Sequence, residues 1–364
     1  MNALVVGLGS IGRRHARNWA ALGLGEVWVC RQAYTPQPEP LGVDVRTFDG
    51  LDTALAERPD VAMVTNPTSL HVSTALAAVR ADCHVFIEKP LGASLDGVAE
   101  LLAEAERRQR LVIVGYNLRF HPGLVRAREL LLVGSVGRPL SARAEMGEYL
   151  PAWHPWEDYR QGYSARRELG GGPILTLSHE LDSLCWLLGR PERVVSLATH
   201  VSTLEIDTED VAEIILQFEG GALGSVHVDY VRRLPRRYVE VVGEEGILRW
   251  EYDENRLLVY APATREWRVE QGRPTFTRND MYLDELRHVA ACVRGEVDQP
   301  RVDGRQGAAV LAVALAALCS ASEGRAIDLT RDGPGETAAW LNSLAYRPAP
   351  LQYPSPTSFV STAA

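Results

Sequence analysis

Ala3-Leu4-Val5-Val6-Gly7-Leu8-Gly9-Ser10-Ile11-Gly12 opens the chain with four apolar residues and a G-x-G-x-x-G run, and Arg13-Arg14-His15-Ala16 continues it. Four consecutive apolar residues predict a strand buried on both faces. The glycines predict a tight turn at which the backbone can approach a pyrophosphate. The helix that follows, over 11–22, offers that group its unpaired N–H donors and positive dipole end. A second apolar strand at 27–30 completes the context that separates a dinucleotide-binding turn from a chance match. Gly7, Gly9, Ser10, Ile11 and Gly12 are therefore the expected contacts of a cofactor phosphate.

Working outward, strands at 61–65, 84–87 and 111–115 alternate with helices at 70–79 and 95–108, the pattern of a parallel sheet covered on both faces. Beyond residue 122 the pattern changes. A helix at 123–132 leads to a strand at 140–149, and an aromatic loop precedes Gly170-Gly171-Gly172 and a helix ending near 188. Alternating strands at 194–202, 211–218, 222–230, 238–243, 247–252 and 257–260 follow, joined by Glu- and Gly-rich turns that signal hairpins. Helices at 279–294 and 306–322 are expected to cover that sheet or to complete packing between domains. The expected class is α/β: an N-terminal Rossmann-type doubly wound parallel sheet over 1–121 and a C-terminal α+β domain with a mainly antiparallel sheet over 122–346. A loosely ordered Pro-, Ser- and Thr-rich tail is expected over 347–364.

The 364 residues carry a net charge of −9, which argues against nucleic acid as a partner because phosphate binding needs cationic surface. Cys30, Cys83, Cys185, Cys292 and Cys319 show no paired spacing and suit buried thiols in a reducing cytoplasm, with no disulfide framework or metal site. The apolar run within 306–322 is rich in small residues and reads as a core or interface helix, so no membrane partner is expected. The N-terminus enters a strand at once and has no signal-peptide character, which again suggests a cytoplasmic protein.

Lys89 is the only lysine among 38 basic residues. Arginine stays protonated at any relevant pH, whereas a partly desolvated lysine can exchange a proton, so a site that keeps lysine points to proton chemistry. It follows the apolar stretch Val85-Phe86-Ile87-Glu88 and precedes Pro90. The second strand ends in Cys30-Arg31, with no carboxylate to bind a ribose 2′-hydroxyl. Arg31 can pair with a 2′-phosphate, which favours NADP over NAD. Asn66 and Pro67 lie where a loop lines the ligand crevice, and His71 is placed to orient that turn.

Together these residues resemble the Gfo/Idh/MocA oxidoreductase family. The resemblance spans Gly7 to Gly12 with His15, Asn66-Pro67 to His71, Glu88-Lys89-Pro90, Gly115-Tyr116-Asn117-Leu118-Arg119-Phe120, Gly170-Gly171-Gly172 and His179-Glu180-Leu181-Asp182. It implies hydride transfer between nicotinamide and a sugar-type alcohol or ketone, with nucleotide-linked and surface-polysaccharide sugars among the candidates. On the family pattern Lys89 is the catalytic lysine, Glu88 a cofactor ribose contact and His179 the second catalytic group. Many members carry an aspartate four residues before that histidine, where this chain has Leu175; Tyr116 and Thr176 are the available substitutes. Asn117, Arg119 and Asp182 complete the expected substrate side. Tyr163, Arg166 and Arg167 join them from the aromatic loop, since aromatic faces and forked donors suit polyhydroxylated or anionic sugars. The family further implies that the second-domain sheet serves self-association into a homodimer or homotetramer. Two other readings stand beside this one: an imine or enone reductase, and a cofactor-binding regulator without turnover.

Overall fold

A computed structural model describes residues 1–30 and 40–330 and the backbone of Val360–Ser361. The opening run forms β1 (Ala3–Val6), buried throughout, and the glycine turn leads into α1 (Ser10–Ala21). There follow β2 (Val27–Cys30), β3 (Arg46–Phe48), α2 (Leu51–Ala56), β4 (Val61–Val64), α3 (His71–Arg80), β5 (His84–Glu88), α4 (Val98–Arg108) and β6 (Val112–Gly115). The six strands pair in parallel in the order β3-β2-β1-β4-β5-β6. The order reverses at β1 and β4, the switch point at which such sheets bind ligands beyond their carboxyl ends. Register aligns those ends: Val6 pairs with Val64, Val64 with Ile87, and Glu88 with Gly115. Gly7, Asn66 and Lys89 therefore share one edge. β3 was not expected, because Arg-Thr-Phe is three residues long with two of them exposed.

The remaining elements are α5 (Pro122–Leu132), β7 (Pro139–Gly147), α6 (Leu150–Trp153), α7 (Pro173–Thr176), α8 (His179–Leu188), β8 (Pro191–Thr199), β9 (Val211–Phe218), β10 (Leu223–Asp229), β11 (Arg236–Gly243), β12 (Gly246–Glu251), β13 (Arg256–Ala261), β14 (Glu266–Gln271), α9 (Arg278–Val293), α10 (Gly304–Glu323), β15 (Ile327–Asp328) and β16 (Val360–Ser361). The ten strands of this sheet run in the order β15-β8-β9-β10-β7-β11-β12-β13-β14-β16. The expected hairpins form, and β14 extends them. One pairing is parallel, between β7 and β10, because β7 is separated from β8 by the α6–α8 segment and returns to the middle of the sheet. α8 packs on the inner face, where Gly224 leaves room for Leu184.

The chain divides into two compact units that do not follow sequence order. Among the described residues the first comprises 1–30, 40–117, 168–170 and 278–311, and the second comprises 118–167, 171–277 and 312–330. α9 thus folds with the parallel sheet, since its apolar face (Leu286, Val289, Ala290) joins Val5, Trp19, Val29, Met63 and Phe86 in one buried cluster. Among the described residues α10 is the one helix long and apolar enough to cross a membrane by length and composition, and 61% of its apolar window is buried in the protein. Apart from the backbone of Val360–Ser361, the expected tail at 347–364 lies outside the described residues.

Candidate functional site: the glycine turn and the Glu88-Lys89 edge

The three glycines of the turn answer to different constraints. Gly7 has φ +98°, and a β-carbon there would lie 2.7 Å from the Asn66 backbone. At Gly12 a β-carbon would overlap the Gly7 carbonyl oxygen and lie 2.6 Å from Thr65 Oγ1. That hydroxyl donates to Gly7 O at 2.7 Å and sits 3.0 Å from Val6 O. The protein's own packing therefore requires both glycines. Gly9 differs, because a β-carbon there would meet nothing within 4 Å. It is exposed with Ser10, and as N-cap of α1 it provides no side-chain cap. An open backbone at an uncapped helix start fits the pyrophosphate of a dinucleotide. Ile11, half-buried, follows in the first turn.

At the end of β5 the Glu88 carboxylate accepts a hydrogen bond from His15 Nε2 at 2.7 Å and from the Lys89 backbone N–H at 3.1 Å. Burial pushes this carboxyl up, but the His15 hydrogen bond, the Lys89 charge and the Lys89 N–H outweigh it and hold Glu88 below its ordinary value. Glu88 is therefore an anion at the carboxyl end of β5. Lys89 beside it is half-buried. His71, 2% exposed, lies between the loops after β4 and β5, with Nδ1 2.9 Å from Pro90 O and Nε2 2.9 Å from Asn66 O, and in its neutral form donates to one of these two carbonyls. Burial pushes its imidazole below the ordinary value. Asn66 donates from Nδ2 to Thr74 Oγ1 at 2.9 Å, and Pro67 is half-buried beside it. Arg31 lies outside the described residues. Thr65, whose hydroxyl braces the glycine turn, was missed from sequence, because a threonine at the end of a strand carries no local signal.

In the second unit, His179 opens α8 and is buried to 8% exposure. Gly172, at φ +95°, is required twice over, by its backbone and because a β-carbon would collide with the Glu209 carboxyl. Glu209 accepts from the Ile174 N–H at 3.3 Å, and burial raises its carboxyl above the ordinary range. Sequence missed Glu209, although the glycine triplet marked the space it fills. The expectation for Arg119 and Asp182 needs correction. They are 1% and 0% exposed and hold each other through three contacts of 2.7, 3.1 and 3.2 Å. A pair so enclosed braces α8 against the segment after β6 and offers neither side chain to a substrate. Burial pushes the Asp182 carboxyl up and the guanidinium opposes it; contact this close keeps the two an ion pair.

Tyr116, Asn117 and Thr176 are buried as well, at 0%, 4% and 2%. Tyr163 and Arg167 are exposed and Arg166 is half-buried. Arg167 donates from Nε and Nη2 to the Asp207 carbonyl at 3.1 and 2.9 Å, which anchors this part of the loop. No group of three or more His, Cys, Asp or Glu is placed to hold a metal among the described residues.

Comparison with known proteins bears on both units. Residues 1–116 match the oxidoreductase family with NAD-binding Rossmann fold, and residues 124–249 match the GFO/IDH/MocA C-terminal domain. The chain is 28% identical over 352 residues to myo-inositol 2-dehydrogenase of Thermotoga maritima, covering 89% of this chain and 97% of that protein. It is 26% identical over 343 residues to D-apiose dehydrogenase of Paraburkholderia graminis, covering 89% and 88%. Among solved structures, the WlbA dehydrogenase from Bordetella pertussis, in complex with NADH and UDP-GlcNAcA, superposes with a TM-score of 0.77 at 23% identity, covering 90% of this chain and 97% of that one. With a Rossmann sheet carrying the glycine turn and with both family domains matched in order, the chain belongs to the Gfo/Idh/MocA family of oxidoreductases.

Proposed function

We propose that this protein is an NAD(P)-dependent dehydrogenase or reductase acting on a sugar-type alcohol or ketone, with its cofactor held by Gly7, Gly9, Ser10, Ile11, Gly12, Asn66, Pro67, His71, Glu88 and Lys89. The observation that carries this reading is the only lysine of the chain, half-buried beside a carboxylate anchored by His15, at the sheet edge that also bears the open glycine turn. The bound nicotinamide supplies or accepts the hydride. Glu88 receives a ribose hydroxyl. Lys89 donates a hydrogen bond from Nζ to the reacting oxygen, stabilises developing alkoxide and exchanges its proton. His179 is the second proton-handling group. Leu175 stands where many relatives have an aspartate, which leaves Lys89 a larger share of the proton chemistry. Tyr163, Arg166 and Arg167 are the substrate contacts of the aromatic loop. Arg31 pairs with a 2′-phosphate, making NADP the preferred cofactor, so Arg31→Ala weakens NADPH more than NADH.

Gly9→Ala tests the cofactor site, because its methyl meets no protein atom within 4 Å at a φ of −66° that alanine tolerates. Stability should hold while NAD(P)H binding is lost; unchanged affinity would count against the reading. A panel of polyols, pyranoses and nucleotide sugars, followed by NAD(P)H absorbance, tests turnover. Lys89→Arg should abolish it, and near-parental rates with an unaltered pH profile would remove the catalytic assignment.

Self-association is proposed through the outer face of the ten-stranded sheet. Val195 and Ile215 are register partners, 44% and 45% exposed, and Leu197 and Leu223 flank them at 75% and 52%. An apolar patch of this kind marks an interface. Leu197→Lys with Ile215→Lys should shift the light-scattering mass to that of the monomer, whereas a monomeric parent chain would dismiss the interface.

A further inference from the structure

Glu285, on α9, is 2% exposed, and neither of its carboxyl oxygens has a hydrogen-bond partner among the described residues. Nδ1 of the fully buried His15 is in the same condition, while its Nε2 is engaged with Glu88 at 2.7 Å. Such atoms are rare in folded proteins, and several in one place call for a physical account.

Helix register brings them together. The Asn18 and Asn279 side chains exchange amide hydrogen bonds at 3.0 Å, and the His15 ring meets the Tyr282 ring edge-on at 5.8 Å. Stepping back along α1 from 18 to 15 matches stepping forward along α9 from 279 to 282, so the helices are antiparallel. One further turn sets Glu285 on the glycine-turn side of His15. From the other side, Ile113 bridges to Asp303, and the Arg301 N–H donates to His288 Nε2 at 2.8 Å. Arg301 thus stands beyond the end of β6, where Gly115 pairs with Glu88. The charges that act on Glu285 are those of Glu88 from the end of β5 and Arg301 after α9; facing it from α1 are His15, against the Tyr282 ring, and Arg14, 4.7 Å from the centroid of that ring, and His288 lies one turn along α9 itself. Burial and the Glu88 charge drive the Glu285 carboxyl well above its ordinary range, with Arg301 opposing. Of the two carboxyls, Glu285 is thus the one whose surroundings favour the proton and Glu88 the one held as the anion.

We propose that Glu285 is a positioning residue for the cofactor pocket: its carboxyl O–H donates across one water to Nδ1 of His15, and holds His15 with Nε2–H toward Glu88. The chain of donors runs from Glu285 through the imidazole to the carboxylate beside Lys89. It fixes one histidine tautomer, and through it the direction of the Glu88 carboxylate. This inference rests on reading Glu88 as a cofactor contact.

The experiment pairs NADH and NADPH affinity across pH, read by fluorescence, with nitrogen NMR of histidine-labelled protein, for the parent chain, Glu285→Gln and Glu285→Leu. Expected results are a His15 resonance of the Nε2–H tautomer in the parent and in Glu285→Gln, whose amide can still donate, and a changed His15 signal in Glu285→Leu. Glu285→Leu should bind about tenfold more weakly, close to the loss of one buried hydrogen bond, and Glu285→Gln within about threefold of the parent. Parental affinity should fall as pH rises and Glu285 ionises, while Glu285→Gln stays flat. Parental affinity and tautomer in Glu285→Leu, an equal loss in both variants, or the same pH profile for parent and Glu285→Gln would each overturn the proposal. If Glu285→Leu does not fold, the Glu285→Gln profile and spectrum decide. If the parent binds neither NADH nor NADPH, the cofactor reading of Glu88 fails, and the His15 tautomer still tests the Glu285 bond on its own.

Discussion

Replacing Asp182 by Asn removes one charge and almost no volume, and it does so where the chain can least absorb the change. Arg119 is 1% exposed and meets Asp182 at 2.7 Å through Nη2 and at 3.1 and 3.2 Å through Nε. A second buried guanidinium, Arg128 at 4% exposure, stacks on the same Trp186 ring, 4.9 Å from its centroid, while Arg119 lies 5.5 Å from it. Without the Asp182 carboxylate, Arg119 keeps its charge away from water and near another cation. Breaking a buried ion pair by removing one partner costs about 3–5 kcal/mol, whereas replacing both partners with apolar residues of similar volume is often near neutral. Asp182→Asn should therefore lose that amount, and Arg119→Met with Asp182→Leu should recover most of it. Urea unfolding followed by circular dichroism, with the transition midpoint compared at constant slope, measures both. An Asp182→Asn variant within about 1 kcal/mol of the parent would refute the reasoning, since a pair that costs so little to break cannot be holding a buried charge.

Gly12→Ala should weaken NAD(P)H binding by more than about a hundredfold and lower thermal stability together, because its methyl would displace the Gly7 carbonyl and the Thr65 hydroxyl. Calorimetric binding and melting curves check it against Gly9→Ala, which should lose only binding. For Glu285 the folded carboxyl lies above the ordinary value of 4.5, so its contribution to stability is complete below that value and is lost as pH rises through the folded one. Glu285→Gln should accordingly match the parent near pH 4 and be more stable by about 1–3 kcal/mol in alkaline buffer; melting curves at both pH values would show no such divergence if the carboxyl were not held protonated. Burial pushes the Cys83 and Cys292 thiols up to about 12, so both should resist a thiol reagent until the protein unfolds, and rapid labelling of the native chain would contradict this.

The strands that carry the first unit were legible because each is a short run buried on both faces, as in Ala3–Val6 and Val61–Val64. Arg46–Phe48 was not, since two of its three residues face outward and no periodicity shows in so short a run. In the second sheet, alternation announced strands without naming their neighbours. Val226 pairs in parallel with Ala144 across a crossover that no local pattern encodes. The partner of Asp182 in the HELD segment was not legible: Arg119 is 63 residues away and is selected by where the segment after β6 meets α8.

The glycine turn, the single lysine and its Glu88-Lys89-Pro90 setting could be read from the sequence, and with them the parallel Rossmann sheet whose edge is proposed to hold the cofactor. These features act through backbone conformation and chemistry carried by neighbouring residues, which are written locally. Folding alone decided that Gly7 and Gly12 serve the protein's packing while Gly9 stands open, that Arg119 and Asp182 neutralise each other, and that Glu285 is buried within reach of the Glu88 charge. Those outcomes depend on burial and on which charge lies opposite which, and both follow from strand order and helix register across distant parts of the chain.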